Sequence, residues 1–230
     1  MHNFFSRDYD LIKAVNEINF EVEAGELVGY IGPNGAGKST TLKMISGLLV
    51  PTSGNLTVNG FTPWKDREQY VSQIGAVFGQ RSTLWWDLPV VESLDLLKHI
   101  YQIPTDRFAQ NLKTFMDLLE MEPFLNTPVR LLSLGQRMRA DLCAAFLHDP
   151  KLVFLDEPTI GLDVVAKERI RDFVLHINEQ MGTTIILTTH DLADVQKLCE
   201  RVMIIDLGKI LFDGDLERLQ EQYGGSRRLM

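Results

Sequence analysis

The sequence predicts an α/β fold: a mostly parallel sheet flanked by helices, with an antiparallel β lobe near its start and an inserted α-helical lobe in its middle. Three observations predict it. Short apolar runs alternate with longer amphipathic segments over most of the 230 residues, the order that a parallel sheet with crossover helices produces. A glycine-rich loop separates the first buried run from the first helical pattern. From about Gln80 to Gly135 no strand pattern occurs, so that stretch reads as an insertion of helices.

Taken in order, the alternation of Ile18, Phe20 and Val22 predicts a half-exposed strand over residues 13–22. Glu26–Ile31 is short and mostly apolar, a buried strand, and Lys38–Leu48 has Leu42, Ile45 and Leu49 on one helical face. Turn residues Pro51–Gly54 and Asn59-Gly60 bracket a short strand at Asn55–Val58, which completes the antiparallel lobe. Ile74–Phe78 is another buried strand. The helical lobe then holds Val90–Tyr101, with Val91, Leu94, Leu97 and Ile100 at helical spacing, and Asp106–Leu119. Strands return at Leu152–Leu155, Thr184–Leu187 and Val202–Ile205, with a helix carrying Ile170, Phe173, Val174 and Ile177 between the first two. The expected organisation is a single domain, 1–230, in which 1–80 and 136–230 form the core with its β lobe and 81–135 the helical subdomain.

Composition narrows the class. The length suits one large domain, and no apolar stretch approaches the roughly 20 residues of a membrane helix. The first residues, Met-His-Asn-Phe-Phe-Ser-Arg, lack the apolar core of a signal peptide. Cys143 and Cys199 sit inside apolar helical patterns, outside any C-x-x-C, and read as reduced core thiols of a cytoplasmic protein. A formal net charge of −8 argues against a nucleic-acid surface, which selects basic patches.

The chemistry is concentrated in a few strings. Gly32-Pro33-Asn34-Gly35-Ala36-Gly37-Lys38-Ser39 has the form G-x-x-x-x-G-K-S between a strand and a helix. Glycines there let backbone N–H groups curl around phosphate oxygens, and the helix that continues through Thr40 points its positive end at the same anion. Lys38 adds a charge for the outer phosphates, and the Ser39 hydroxyl is placed to ligate Mg²⁺. The strand Leu152–Leu155 runs into Asp156-Glu157. Asp156 can hold a water on Mg²⁺, and Glu157, one residue further out, can polarise an attacking water. Leu132-Ser-Leu-Gly-Gln136 opens a second helix, Gln136–Leu147, with Ser133 able to cap it and Gly135 at its start.

Together these strings resemble the ATP-binding subunits of ABC transporters, a P-loop NTPase fold, over nearly the whole chain. Leu132–Gln136 is similar to the family signature LSGGQ, with Leu134 at its first glycine. Asp156-Glu157 resembles the Walker B Asp and the glutamate beside it, Gly161-Leu162-Asp163 the D-loop, His190 the switch histidine and Gln80 the Q-loop glutamine. Tyr9, counted back from Gly32, falls where the family stacks an aromatic on adenine; Phe4 and Phe5 compete for that place. Phe78–Pro89 and Thr127–Arg137 are similar to a subgroup serving ABC-2-type exporters.

The resemblance implies ATP hydrolysis with Mg²⁺ held by Ser39, Gln80 and Asp156. It implies catalytic roles for Glu157, His190 and Gln80, and a nucleotide contacted by Tyr9, Gly32–Thr40, Ser133, Gly135, Gln136 and Asp163. The Ser133–Gln136 end is expected to meet the γ-phosphate on a second subunit, head to tail, and Asp163 to serve the site while capping its helix. The expected partners are that second ATP-binding subunit and separate transmembrane permease subunits, with the chain at the cytoplasmic face of the membrane. Family members begin with a strand well before the adenine aromatic, so either a first strand is missing here or the chain is trimmed. Trp85-Trp86 fits either a core anchor or a partner surface, and Arg137 and Arg139 are read as lying on a solvated helix face. A soluble ABC-type ATPase of DNA repair or translation is the alternative, but such proteins carry coiled coils or paired ATPase domains, and neither pattern occurs in this sequence. A GTPase or metabolite kinase fits less well, because the sequence has no N-K-x-D string.

Overall fold

The computed structural model describes residues 13–79 and 82–223. Six strands form one sheet: β1 (Leu27–Ile31), β2 (Ile74–Phe78), β3 (Leu152–Asp156), β4 (Thr184–Thr188), β5 (Arg201–Asp206) and β6 (Lys209–Asp215), in the order β2-β3-β4-β1-β5-β6. All neighbours are parallel except β5 and β6. The parallel strands read as continuous apolar runs because both faces of the sheet are covered. In β3, Val153 and Leu155 enter the core on one face, and Leu152 and Phe154 the core on the other.

One face carries α1 (Lys38–Ile45) and α2 (Arg67–Val71), whose Leu42, Ile45 and Tyr70 pack with Tyr30, Phe154 and Met203. On the other lie α3 (Val90–Ile100), α4 (Thr105–Leu118), α5 (Leu134–Phe146), α6 (Val164–Met181) and α7 (Leu192–Leu198). The chain ends its described part in α8 (Leu216–Tyr223). The helical stretch is fastened to the sheet by Phe173 of α6, which meets Phe115 of α4 and Phe146 of α5 edge-on at 5.5 and 5.3 Å between centroids. Each such aromatic pair contributes about 0.5–1.5 kcal/mol beyond area burial. Cys143 and Cys199 are free and buried, and burial pushes both thiols up to about 12.

Three expectations are corrected. Neither 13–22 nor 55–58 forms a strand; among the described residues the expected antiparallel lobe has only the isolated bridge Val58–Phe61. Ile18, Phe20 and Val22 do alternate in burial, and Phe20, Val22, Leu56 and Val58 pack on the second core. Alternation reports which side faces the core, and extended chain satisfies it without a ladder partner. Antiparallel pairing occurs instead at β5–β6, across a turn whose Leu207 and Gly208 have φ of 46 and 75°, the double positive φ of a tight hairpin. Second, α1 stops at Ile45: Gly47 turns the chain with φ 76° and Leu49 is exposed. Third, α5 begins at Leu134, two residues earlier than expected, because Ser133 is its cap.

Candidate functional site

Strands β1, β3 and β4 end side by side, so the loops after them share one edge of the sheet, where parallel α/β sheets present ligand sites. The loop after β1 is shaped by close backbone contacts. A Cβ on Gly32 would stand 2.1 Å from the Ile205 carbonyl oxygen, and one on Gly37 2.6 Å from that of Ala14. Gly37 has φ 112° and caps α1 without any side-chain acceptor. Pro33, Asn34 and Gly35 are exposed at the loop tip, Ala36 is buried, and Thr40 is half-buried in the first turn of α1. The Gly208 N–H donates to the Ala36 carbonyl at 2.9 Å, so the β5–β6 turn braces the loop from behind.

Lys38 folds back inside the loop and donates to the Gly32 and Pro33 carbonyls at 2.6 and 3.0 Å. Burial holds its ammonium below the usual lysine value, partly offset by the nearby carboxylates of Glu157 and Asp156. Ser39 Oγ donates to Asp156 at 3.1 and 3.4 Å. Asp156 also accepts from Thr188 Oγ1 at 2.5 Å, a contact set by the β3–β4 register that places Thr188 opposite Asp156. Thr188 further accepts the Glu157 N–H, at 3.0 Å on its carbonyl and 3.2 Å on its hydroxyl. Glu157 itself has φ 56°, a left-handed conformation that non-glycine residues adopt at a cost of about 1–2 kcal/mol. Its carboxylate meets His190 Nε2 at 2.5 Å. Lys38, Ser39, Asp156, Glu157 and His190 therefore stand together. A serine hydroxyl beside a carboxylate is an oxygen-only donor pair, which suits a hard cation such as Mg²⁺ that keeps water and phosphate oxygens as its other ligands.

A second group forms around the start of α5. Ser133 Oγ accepts the Gln136 N–H at 3.2 Å and the Gln136 side chain accepts the Ser133 N–H at 2.9 Å, a reciprocal capping box. A Cβ on Gly135 would meet Ala166 at an ordinary 3.4 Å, so α5 starts against α6, whose own cap is Asp163, accepting from Ala166 N–H at 2.9 Å. Among the described residues no hydrogen bond or salt bridge joins Ser133, Gln136 or Asp163 to the first group. Tyr9 and Gln80 lie outside the described residues. Gly79, just before Gln80, donates its N–H to the Asp156 carbonyl at 3.1 Å.

Trp85 and Trp86 are 39% and 52% exposed, so neither is a core anchor. The loop that carries them is held by a buried carboxylate, Asp141 of α5, which accepts from Ser82 Oγ and Thr83 N–H at 2.9 Å each. Arg137 and Arg139 are half-buried rather than solvated: Arg137 stacks over Trp86 at 5.4 Å, and Arg139 donates to the Leu119 carbonyl at 2.7 Å. Sequence reasoning missed Thr188, Asp141 and Asp194. Only the paired hydroxyls Thr188-Thr189 before His190 offered a signal.

The ABC transporter family model matches residues 15–160. The ABC transporter ATP-binding protein NatA of Bacillus subtilis is 33% identical over 211 residues, covering 92% of this chain and 85% of that protein. The linearmycin resistance ATP-binding protein LnrL of B. subtilis is 34% identical, over 92% of this chain and 67% of its own length. The probable multidrug ABC transporter ATP-binding protein YbhF of Escherichia coli is also 34% identical, and this chain spans 36% of its length. Among solved structures, an ATP-binding subunit of an ABC transporter superposes with a TM-score of 0.82 at 30% identity, covering 93% of this chain and 89% of the other. A dimeric ATP-binding cassette in a post-hydrolysis state, bound to ADP and Pi, superposes with a TM-score of 0.81 at 28% identity, over 92% of this chain and 94% of the other. With the glycine-rich loop Gly32–Ser39, Asp156-Glu157 and His190 gathered on one sheet edge, the chain belongs to the ABC transporter family, as an ATP-binding cassette that hydrolyses ATP.

Proposed function

We propose that the chain is the motor subunit of an exporter, hydrolysing ATP between two copies and passing the closure to separate membrane-embedded subunits. The observation that carries the catalytic part is the Glu157–His190 contact beside Lys38 and Asp156. In this reading the phosphate loop, Gly32–Thr40, holds the phosphates, and Lys38 leaves its carbonyl partners to meet the outer ones. Glu157 accepts a proton from the attacking water, and His190 fixes the carboxylate and offers its other contacts to the γ-phosphate. Ser39, Asp156 and Gln80 would hold Mg²⁺, which supplies charge neutralisation on the phosphates when bound. Tyr9 is assigned to adenine.

Ser133, Gly135, Gln136 and Asp163 are assigned to the nucleotide of the second copy, and among the described residues the side chains of Ser133, Gln136 and Asp163 bond within their own helix starts rather than to Lys38. The post-hydrolysis relative is itself a dimer. Export is favoured by the resistance and multidrug relatives, and the exposed tryptophans, held to α5 through Asp141, suit a docking surface for the membrane subunits. Such a subunit would work at the cytoplasmic face of the membrane. The division into a core, 1–80 with 136–230, and a helical subdomain, 81–135, belongs to the same proposal. In this scheme Asp141, on the core side, bonds across to Ser82 and Thr83.

Glu157→Gln tests the central role. Turnover is expected to fall by about 10²–10⁴-fold, the contribution of a positioned general base, with ATP binding retained and a dimer accumulating on chromatography with ATP and Mg²⁺. Turnover within about threefold of wild type would overturn the assignment, because a base worth the lower limit of that range cannot be lost so cheaply.

A further inference from the structure

Glu157 and His190 stand on different loops, and one buried carboxylate reaches both. Asp194, on α7, is fully buried. Its Oδ2 accepts hydrogen bonds from Thr159 Oγ1 and, at 2.9 Å, from Thr189 Oγ1. Thr159 follows Glu157 by two residues, and Thr189 immediately precedes His190. The other oxygen of Asp194 is held by Arg171 of α6, through Nε at 2.7 Å and Nη2 at 2.5 Å. Thr189 Oγ1 in turn accepts the Asp191 N–H at 3.0 Å, which fixes the hydroxyl rotor with its proton on Asp194. Asp194, Arg171, Thr159 and Thr189 are all buried.

A buried ion pair of this kind is not required for stability, since well-packed apolar residues serve as well or better. Its placement is what distinguishes it: a single oxygen ties together the chain on either side of the Glu157–His190 contact. Glu157 needs such support, because its left-handed backbone persists only where the surroundings hold it. We propose that Asp194 is a positioning residue for ATP hydrolysis, holding Thr159 and Thr189 in register so that Glu157 and His190 stay in contact. This rests on the reading of Glu157 as general base with His190 as its partner.

Asp194→Asn leaves Arg171 buried with half its partner, so the decision rests on the threonines. Thr159→Val and Thr189→Val each replace one hydroxyl by a methyl group, and Thr159→Ser and Thr189→Ser keep the donor. Single-turnover ATP hydrolysis by the full chain is expected to slow by about 10-fold or more in the valine variants, since small misplacements of reacting groups are costly. KM for ATP should stay within about twofold, and the serine variants should recover most of the rate. In a His190→Ala background, Thr189→Val is expected to slow the reaction by less than about twofold further, because the contact it positions is already gone.

A rate within about twofold of wild type in both valine variants overturns the proposal. So does an equal loss from Thr189→Val with and without His190, which marks a purely structural role. Glu157→Gln, assayed beside them, separates the two readings. If it keeps its turnover, the assignment of the base has failed; if it loses turnover while the valine variants do not, only the role of Asp194 has failed.

Discussion

The N-termini of α1 and α5 both follow small residues, yet they are finished in opposite ways. At α1 the cap is Gly37, and no side chain accepts from the first-turn N–H groups. Lys38 turns back onto loop carbonyls, and Gly32 and Gly37 press so closely on Ile205 and Ala14 that no Cβ fits. At α5, Ser133 and Gln136 satisfy each other in a capping box, Ser133 is exposed, and Gly135 has room for a Cβ. In the proposed reading, an uncapped helix end inside a braced loop receives the phosphates of its own chain's nucleotide. A self-capped, exposed end asks nothing of its own chain and is open to a ligand brought by another. That difference is the physical content of assigning the two ends to opposite halves of a shared nucleotide site.

Substitutions at each end sharpen the contrast. Lys38→Ala carries the largest expected effect. Removing a charge from a paired, buried phosphate site costs about 2–5 kcal/mol, so ATP affinity measured by titration should fall by roughly 10²-fold; unchanged affinity would break the reading of the loop after β1. Gly32→Ala comes next. Its Cβ would sit 2.1 Å from a backbone oxygen, and forcing strand ends apart should destabilise by about 1–3 kcal/mol or more, read as a lowered melting temperature. Gly135→Ala is the smallest and has the opposite sign. Its Cβ meets only ordinary contact, and alanine in a helix is favoured over glycine by about 0.5–1 kcal/mol, so the melting temperature should hold or rise slightly. A sharp fall there would mean that the start of α5 is as tightly built as the phosphate loop.

How much of this was legible in the sequence depends on how local each feature is. The loop from Gly32 to Ser39 and the pair Asp156-Glu157 are contiguous strings whose chemistry is carried by their own residues, and the sheet edge brings them together as expected. Thr188 and Asp194 were not legible, because their roles come from register and packing: Thr188 lies opposite Asp156 across β3–β4, and Asp194 meets Thr159 and Thr189 only once α7 is laid down. The antiparallel lobe shows the converse failure. Alternating apolar residues at 18–22 correctly foretold which side chains face the core, but burial alone does not create a ladder. β6 was missed because Lys209, Asp213 and Gly214 interrupt its apolar alternation, and it pairs through a hairpin turn that places a leucine at positive φ. The paired tryptophans were ambiguous in sequence, and exposure decides against the core.

The shared site is tested most directly by mixing two chains that are each inactive, Lys38→Ala and Ser133→Arg. In a mixed dimer one composite site loses both groups, while the other joins the intact Lys38 loop of the second chain to the intact Ser133 of the first. ATP hydrolysis should therefore reappear on mixing, at a fraction of the wild-type rate, although neither variant hydrolyses ATP by itself. A mixture no more active than the sum of its separate components, in samples shown by chromatography to form mixed dimers, would contradict the assignment of the two helix ends to opposite halves of one site.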